Sequence, residues 1–228
     1  MNRNIAIVGA PTSIGIRTYD SGEPRHLDRA PGVLRELGLE QRLRASDLGD
    51  VIPLPYRDFI RPAGRARNEA EVGAYCRALG ERVEEATSDG RFAVVMGGDC
   101  SIVLGSLLGA RKSAQGSVGL VYVDAHADFG TPEESHTGSV ASMCLALAVG
   151  RGEIPQTQRA GAVVFPRPHQ RVLELRLGGE SSRNPRIDRI AGTLVGTNPK
   201  IVGGTFAFIR SNDRAHSLGR GAHGCARR

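Results

Sequence analysis

Short apolar runs alternating with helix-like stretches over the first 150 residues predict an α/β fold on a mostly parallel sheet. Three observations carry that reading. Residues 4–9, 91–96 and 117–123 are brief, continuous and apolar, as strands covered on both faces are. Each is followed by a segment with helix-start signals or helical apolar spacing. Two of the runs also lead straight into chemically loaded ends, Gly97-Gly-Asp-Cys-Ser101 and Asp124-Ala-His-Ala-Asp128. Open parallel sheets bind ligands at such carboxyl ends of strands.

Taken in order, Asn4-Ile-Ala-Ile-Val-Gly9 is closed by Gly9 and Pro11 and is followed by a Gly-rich, charged loop to about Arg29. Ala30-Pro31 opens a helix with proline in its first turn, continuing through Val33, Leu34 and Leu37. A second, weaker strand is expected around Val51-Ile-Pro53. Asn68-Glu-Ala-Glu71 has the pattern of a capping box and predicts a helix to about Ser88, with Gly90 just past its end. After the strand at 91–96, Ile102, Val103, Leu104, Leu107 and Leu108 suit a helix to about Lys112. The third strand, 117–123, runs into Asp124, and residues 140–149 are apolar on all sides, predicting a buried helix. Beyond Gly150 the periodicity fades. Residues 161–165 and 201–209 read as strands within an Arg-, Ser-, Pro- and Gly-laden stretch.

The chain has 228 residues, enough for one well-buried α/β domain, and 40% hydrophobic residues, which excludes wholesale disorder. No uncharged apolar stretch reaches the length of about 18 residues that a membrane span needs, and the short run after Asn2-Arg-Asn4 leads us to expect no secretory signal. Cys76, Cys100, Cys144 and Cys225 show no CxxC or framework spacing, so reduced thiols in a cytoplasm are expected. The net charge of +6 is unevenly divided. Residues 1–150 hold 16 basic and 19 acidic side chains, and residues 151–228 hold 14 and 5. The arginines of the second part are scattered and its aromatics are only Phe165, Phe206 and Phe208, so neither a basic block nor a stacking platform for nucleic acid emerges. The same change of character divides the chain into an α/β domain at 1–150 and a divergent, Arg-rich segment at 151–228.

Asp124-x-His126-x-Asp128 leaving a strand sends three side chains the same way while extension persists. Two carboxylates and an imidazole form a mixed O/N set suited to Mn²⁺, Fe²⁺ or Zn²⁺. A polar turn with accidental acids is the plain alternative. Two acids at a buried strand end, 25 residues after a Gly-Gly-Asp strand end, favour a metal, because a cation offsets the cost of clustering them.

Val94-Val-Met-Gly-Gly-Asp99 followed by Val121-Tyr-Val-Asp-Ala-His-Ala-Asp128 resembles the arginase, agmatinase and formiminoglutamase (ureohydrolase) family. Ala6-Ile-Val-Gly-Ala-Pro11, Ala30-Pro-Gly32, Asp47-Leu-Gly-Asp50 and the Thr131-Pro-Glu133 loop extend the likeness over about residues 4–150. The resemblance implies a three-layer α/β/α domain, with the C-terminal part incomplete or divergent. It also implies a two-manganese centre whose bridging hydroxide attacks a guanidinium, amidinium or formimino carbon. In it Asp124 bridges both metals, Asp128 binds the metal nearer position 100, and His126 binds the other. A metal-generated hydroxide suits this task, since the substrate carbon is resonance-stabilised and water alone attacks it poorly.

Three departures from the family pattern bear on function. Cys100 stands where the family has a metal-binding histidine; it reads either as a softer ligand, suited to Zn²⁺ or Fe²⁺, or as a small thiol packing behind Asp99. Ala141 stands where the family's proton-shuttling histidine belongs, with His136 nearby as a substitute or a plain solvated loop residue. The family's third metal motif has only a faint echo in Ser211-Asn-Asp213, with Ala215 at its second acid, so Asp213 is the remaining candidate ligand. A frame change or truncation in a GC-rich coding sequence explains the switch at 150, since 28 of the 30 basic residues are arginine; natural divergence explains it equally. The expectation is therefore a metal-dependent hydrolase of linear C–N bonds, impaired in this chain and holding one metal or none instead of two. The alternative is an inactive relative serving as a metal-binding or regulatory subunit. An arginase-fold deacetylase is disfavoured by Gly-Gly-Asp upstream of the acidic motif. A small guanidino, amidino or formimino substrate and a homo-oligomer are the expected partners, with no nucleic acid and no membrane.

Overall fold

The computed structural model describes residues 4–88, 90–114 and 118–152, and the backbone of two further strands at 173–176 and 206–211. Strand β1 (Ile5–Ala10) lies between β2 (Ser46–Asp50) and β3 (Phe92–Gly97), parallel to both. Strand β4 (Val118–Asp124) centres a second group of three, parallel to β5 (Leu173–Arg176) and antiparallel to β6 (Phe206–Ser211). Three of these four pairings are parallel, in keeping with the expected α/β class.

β1 is buried on both faces, as its unbroken apolar run requires. Ala6, Val8 and Ala10 face a core cluster with Tyr75, Leu79 and Val83, and Ile7 on the other face is fully buried. The two long helices α3 (Glu69–Thr87) and α4 (Ile102–Ser113) cross closely. At Gly109 a β-carbon would lie 2.4 Å from the Gly80 carbonyl oxygen, so the crossing depends on the missing side chain. Leu104 and Leu107 of α4 join Leu120 and Tyr122 of β4 and Leu145 beyond it in a second cluster, which lies beneath the β4 end. No helix among the described residues is long and apolar enough to cross a membrane.

Several local expectations need correction. The second strand is not at Val51-Ile-Pro53 but earlier, at Ser46–Asp50. Hydrophobicity misplaced it because β2 is polar: the Arg35 guanidinium spans Asp47 at 2.6 Å and Asp50 at 2.7 Å, keeping their charge at the sheet edge. Pairing runs one step further, with the Val51 N–H donating to Gly9 O at 2.8 Å, and Pro53 has no N–H to extend it. Helix α3 starts where the capping pattern put it, but by another device. Asn68 has φ of 51° and makes no side-chain cap. Its amide instead clasps the backbone of Arg57, accepting from N–H at 3.1 Å and donating to C=O at 3.0 Å. Glu69 turns back to accept from the Ala66 N–H. Helix α1 (Ala30–Glu36) carries its proline in the first turn as expected, and a one-turn α2 (Leu39–Leu43) follows it. Val33 and Leu37 are exposed, however, so α1 packs on Pro31 instead.

The buried helix expected at 140–149 is divided into a 3-10 turn, Val140–Met143, and α5 (Cys144–Ala148). The Asp128 carbonyl accepts from the Leu145 and Ala146 N–H groups at 3.1 and 3.2 Å, which starts a fresh helix at that point. Of the two expected C-terminal strands, β6 overlaps the end of 201–209, and 161–165 lies outside the described residues.

Candidate metal centre

β4 delivers Asp124 as its last residue, and Tyr122, two positions earlier, shares its face of the strand. The chain then turns sharply, with the Asp124 Oδ1 accepting from the His126 N–H at 3.0 Å. Asp128 follows in a left-handed conformation, φ 44°, which aspartate tolerates better than most residues. The α5 amides on its carbonyl hold it there. From the other side, the turn between β3 and α4 presents Cys100. Ligand atoms of Cys100, Asp124 and Asp128 all lie within 4.8 Å of one another, with both aspartates buried.

The surroundings of this cluster are specific. The fully buried Tyr122 hydroxyl donates to Asp128 Oδ2 at 2.5 Å and lies 3.4 Å from Asp124 Oδ2. It also meets the Cys144 sulfur at 3.2 Å, and that sulfur sits 3.6 Å from Asp128 Oδ2. The Cys100 sulfur is 3.6 Å from Asp124 Oδ2. Burial pushes the Asp128 carboxyl above the usual carboxylate range, only partly countered by the Tyr122 hydrogen bond. Burial likewise raises the Tyr122 hydroxyl and the Cys144 thiol. Tyr122 and Cys144 were missed from sequence. Tyr122 had a signal, its i−2 spacing to Asp124 on a strand; Cys144 had none.

The remaining sequence candidates sit as follows. His126 approaches the opposite oxygen, Nδ1 to Asp124 Oδ1 at 3.7 Å, with its side chain 83% exposed. It stands outside the three-residue cluster. His136 is exposed in the loop at 131–138. That loop is pinned by Arg61, which donates to the Ser135 carbonyl, and by Arg67, which donates to Thr137 O at 2.9 Å. Ala141 is buried and its N–H donates to Gly15 O. Asp213 lies outside the described residues. Asp99 is close in sequence but serves elsewhere: its carboxylate accepts from the Gly15 N–H at 3.0 Å and the Ser101 N–H at 2.9 Å.

Two carboxylates and a sulfur within 4.8 Å of one another could hold a single divalent cation, and His126 is not among them. Comparison with known proteins agrees with this architecture. The arginase family matches residues 3–162. Arginase of Bacillus caldovelox is 33% identical over 176 residues, covering 74% of this chain and 56% of the relative. Human arginase-1 is 31% identical over 161 residues, covering 68% of this chain and 48% of the relative. The solved Bacillus caldovelox arginase superposes with a TM-score of 0.65 at 30% identity, covering 76% of this chain and 58% of that one. The chain thus spans about half the length of the curated relatives it matches.

Proposed function

Because this chain belongs to the arginase family, we propose that its strand-end cluster is a metal centre for hydrolysing a linear C–N bond in a guanidino, amidino or formimino compound. The observation that carries the proposal is the convergence of Asp124, Asp128 and Cys100 within 4.8 Å at the end of β4. Cys100, Asp124 and Asp128 would hold one ion, and His126 is the ligand available to a second. A bound divalent ion supplies Lewis acidity and a hydroxide nucleophile at neutral pH.

The protein's own contribution is to aim the donors. Asp124 turns Oδ2 towards Cys100 and Oδ1 towards His126, so its two oxygens would be available to different ions. Tyr122 holds Asp128 by its hydroxyl, so the carboxylate meets an ion in one orientation. His136, on the loop that Arg61 and Arg67 pin in place, would be the remaining candidate to protonate the leaving amine, its alternative being a solvated loop residue.

Hydrolysis is reduced in this reading, for two reasons. Ala141 offers no proton-carrying side chain. The acidic third motif is reduced to Asp213. Groups that act as a unit fail together, so several losses leave residual turnover. The second reading, an inactive metal-binding or regulatory subunit, is favoured by Ala141 in particular. A homo-oligomer of this chain is the macromolecular partner in either case. Assay of urea or formamide release from arginine, agmatine and formiminoglutamate with added Mn²⁺ tests the proposal. Slow but metal-dependent release supports the impaired hydrolase, and none at any metal supports the subunit. Turnover within the ordinary enzyme range, roughly 1–10³ per second, would show that His136 or Asp213 fills its role completely.

A further inference from the structure

We infer that the Cys100 sulfur is a ligand of this centre and makes it select zinc, or a similarly soft divalent ion, over manganese; the inference rests on the metal-centre reading above. Two roles were open to Cys100, ligand or thiol packed behind Asp99, and the geometry separates them. The Asp99 carboxylate is turned away, engaged by the backbone of Gly15 and Ser101. The Cys100 sulfur faces the other way, 3.6 Å from Asp124 Oδ2 and within the same 4.8 Å group as Asp128. Cys100 is half-buried and packs against the core cluster.

The neighbouring thiol sharpens the assignment. Cys144 also lies 3.6 Å from an aspartate oxygen, but it is fully buried and engaged with the Tyr122 hydroxyl and, at 3.3 Å, with the Ala141 carbonyl. It falls outside the converging group and braces Asp128 from behind. The centre is therefore one sulfur with two carboxylates. Carboxylates alone suit manganese or magnesium; a thiolate among them shifts preference to zinc, cobalt, cadmium or ferrous iron. Binding exchanges the thiol proton for the metal, Cys–SH and M²⁺ giving Cys–S–M⁺ and a proton released to solvent.

Cobalt titration of the full chain tests this without reference to activity, since a cobalt–thiolate bond produces an intense near-ultraviolet charge-transfer band. The band should appear as one equivalent of Co²⁺ binds, and Zn²⁺ but not equimolar Mn²⁺ should abolish it. Cys100→Ser should lose the band, and its preference for zinc over manganese should drop by at least about tenfold. Cys100→His should bind metal with no band and with preference shifted towards manganese, which keeps the test decisive if the serine variant folds poorly. Cys144→Ala should keep the band. Cobalt bound by dialysis without a band, or a band that survives in Cys100→Ser, overturns the inference and leaves the metal centre standing. No cobalt bound at all overturns the metal-centre reading itself, and the inference with it.

Discussion

Asp99 and Asp128 are both buried aspartates just beyond a parallel strand, and burial raises the carboxyl of each. Their partners differ in kind. Asp99 gives one oxygen to the Ser101 N–H and the other to the Gly15 N–H, and its own N–H donates to Thr12 O at 3.0 Å. Gly98 permits this closeness, since a β-carbon there would stand 2.1 Å from the Thr12 carbonyl oxygen. Asp128 instead receives the Tyr122 hydroxyl and the Cys144 thiol, both on Oδ2, and faces Asp124 and Cys100. Backbone amides use both oxygens of a carboxylate and turn it into a fastener between loops. Side-chain donors gathered on one oxygen orient a carboxylate towards a shared point. The same residue type at equivalent places in two βα units is thereby structural at one and ligand-like at the other.

The contrast breaks or holds first on stability. With chelator present, Asp99→Ala should lower the unfolding free energy by about 3 kcal/mol, because two buried amides lose their acceptor. Asp128→Asn, which keeps an acceptor for Tyr122, should change it by less than about 1 kcal/mol. Urea titration of both variants measures this, and equal losses would erase the distinction. Next in size is the response to metal. Zinc at about a hundred times its dissociation constant should stabilise the protein by about 2.7 kcal/mol, a gain that chelation reverses. Asp124→Asn and Asp128→Asn should lose that gain, whereas Asp99→Asn should keep it.

The smallest effect concerns the thiols, which extend the contrast to core and site. Burial pushes the Cys76 thiol up to about 12, while an unfolded cysteine sits near 8.5. A raised acid keeps its proton longer when folded. Between about 8.5 and 12 the unfolded chain has therefore lost a proton that the native state retains, and stability falls as pH rises. Cys76→Ala should flatten that alkaline slope. At pH 8, iodoacetamide followed by mass spectrometry should find Cys100 modified ahead of Cys76 and Cys144, with zinc slowing the reaction at Cys100. Early alkylation of Cys144 would mean that the thiol bracing Asp128 is as open as the one facing the cluster.

Sequence alone determined the apolar strands β1, β3 and β4, the helices α3 and α4, and the loaded ends after Gly97 and Val123, because strand and helix periodicity and terminal glycines are local signals. It also singled out Asp124, His126 and Asp128, since residue type at a strand end limits what chemistry is available, and the family resemblance added Cys100 as a possible ligand. It misplaced β2, where an Arg35 bridge from another element makes a polar strand tolerable. It read Asn68 as a cap when that amide clasps Arg57, 11 residues back. Tertiary structure alone decided that Asp99 is tied to Gly15 across 84 residues and that Cys144 reaches Tyr122 across 22. It alone placed the His126 side chain largely in solvent. The physical reason is that each such contact depends on which distant group the packing brings within reach, about 3 Å for a hydrogen bond, and that is a property of the assembled layers, absent from any stretch of the chain read by itself.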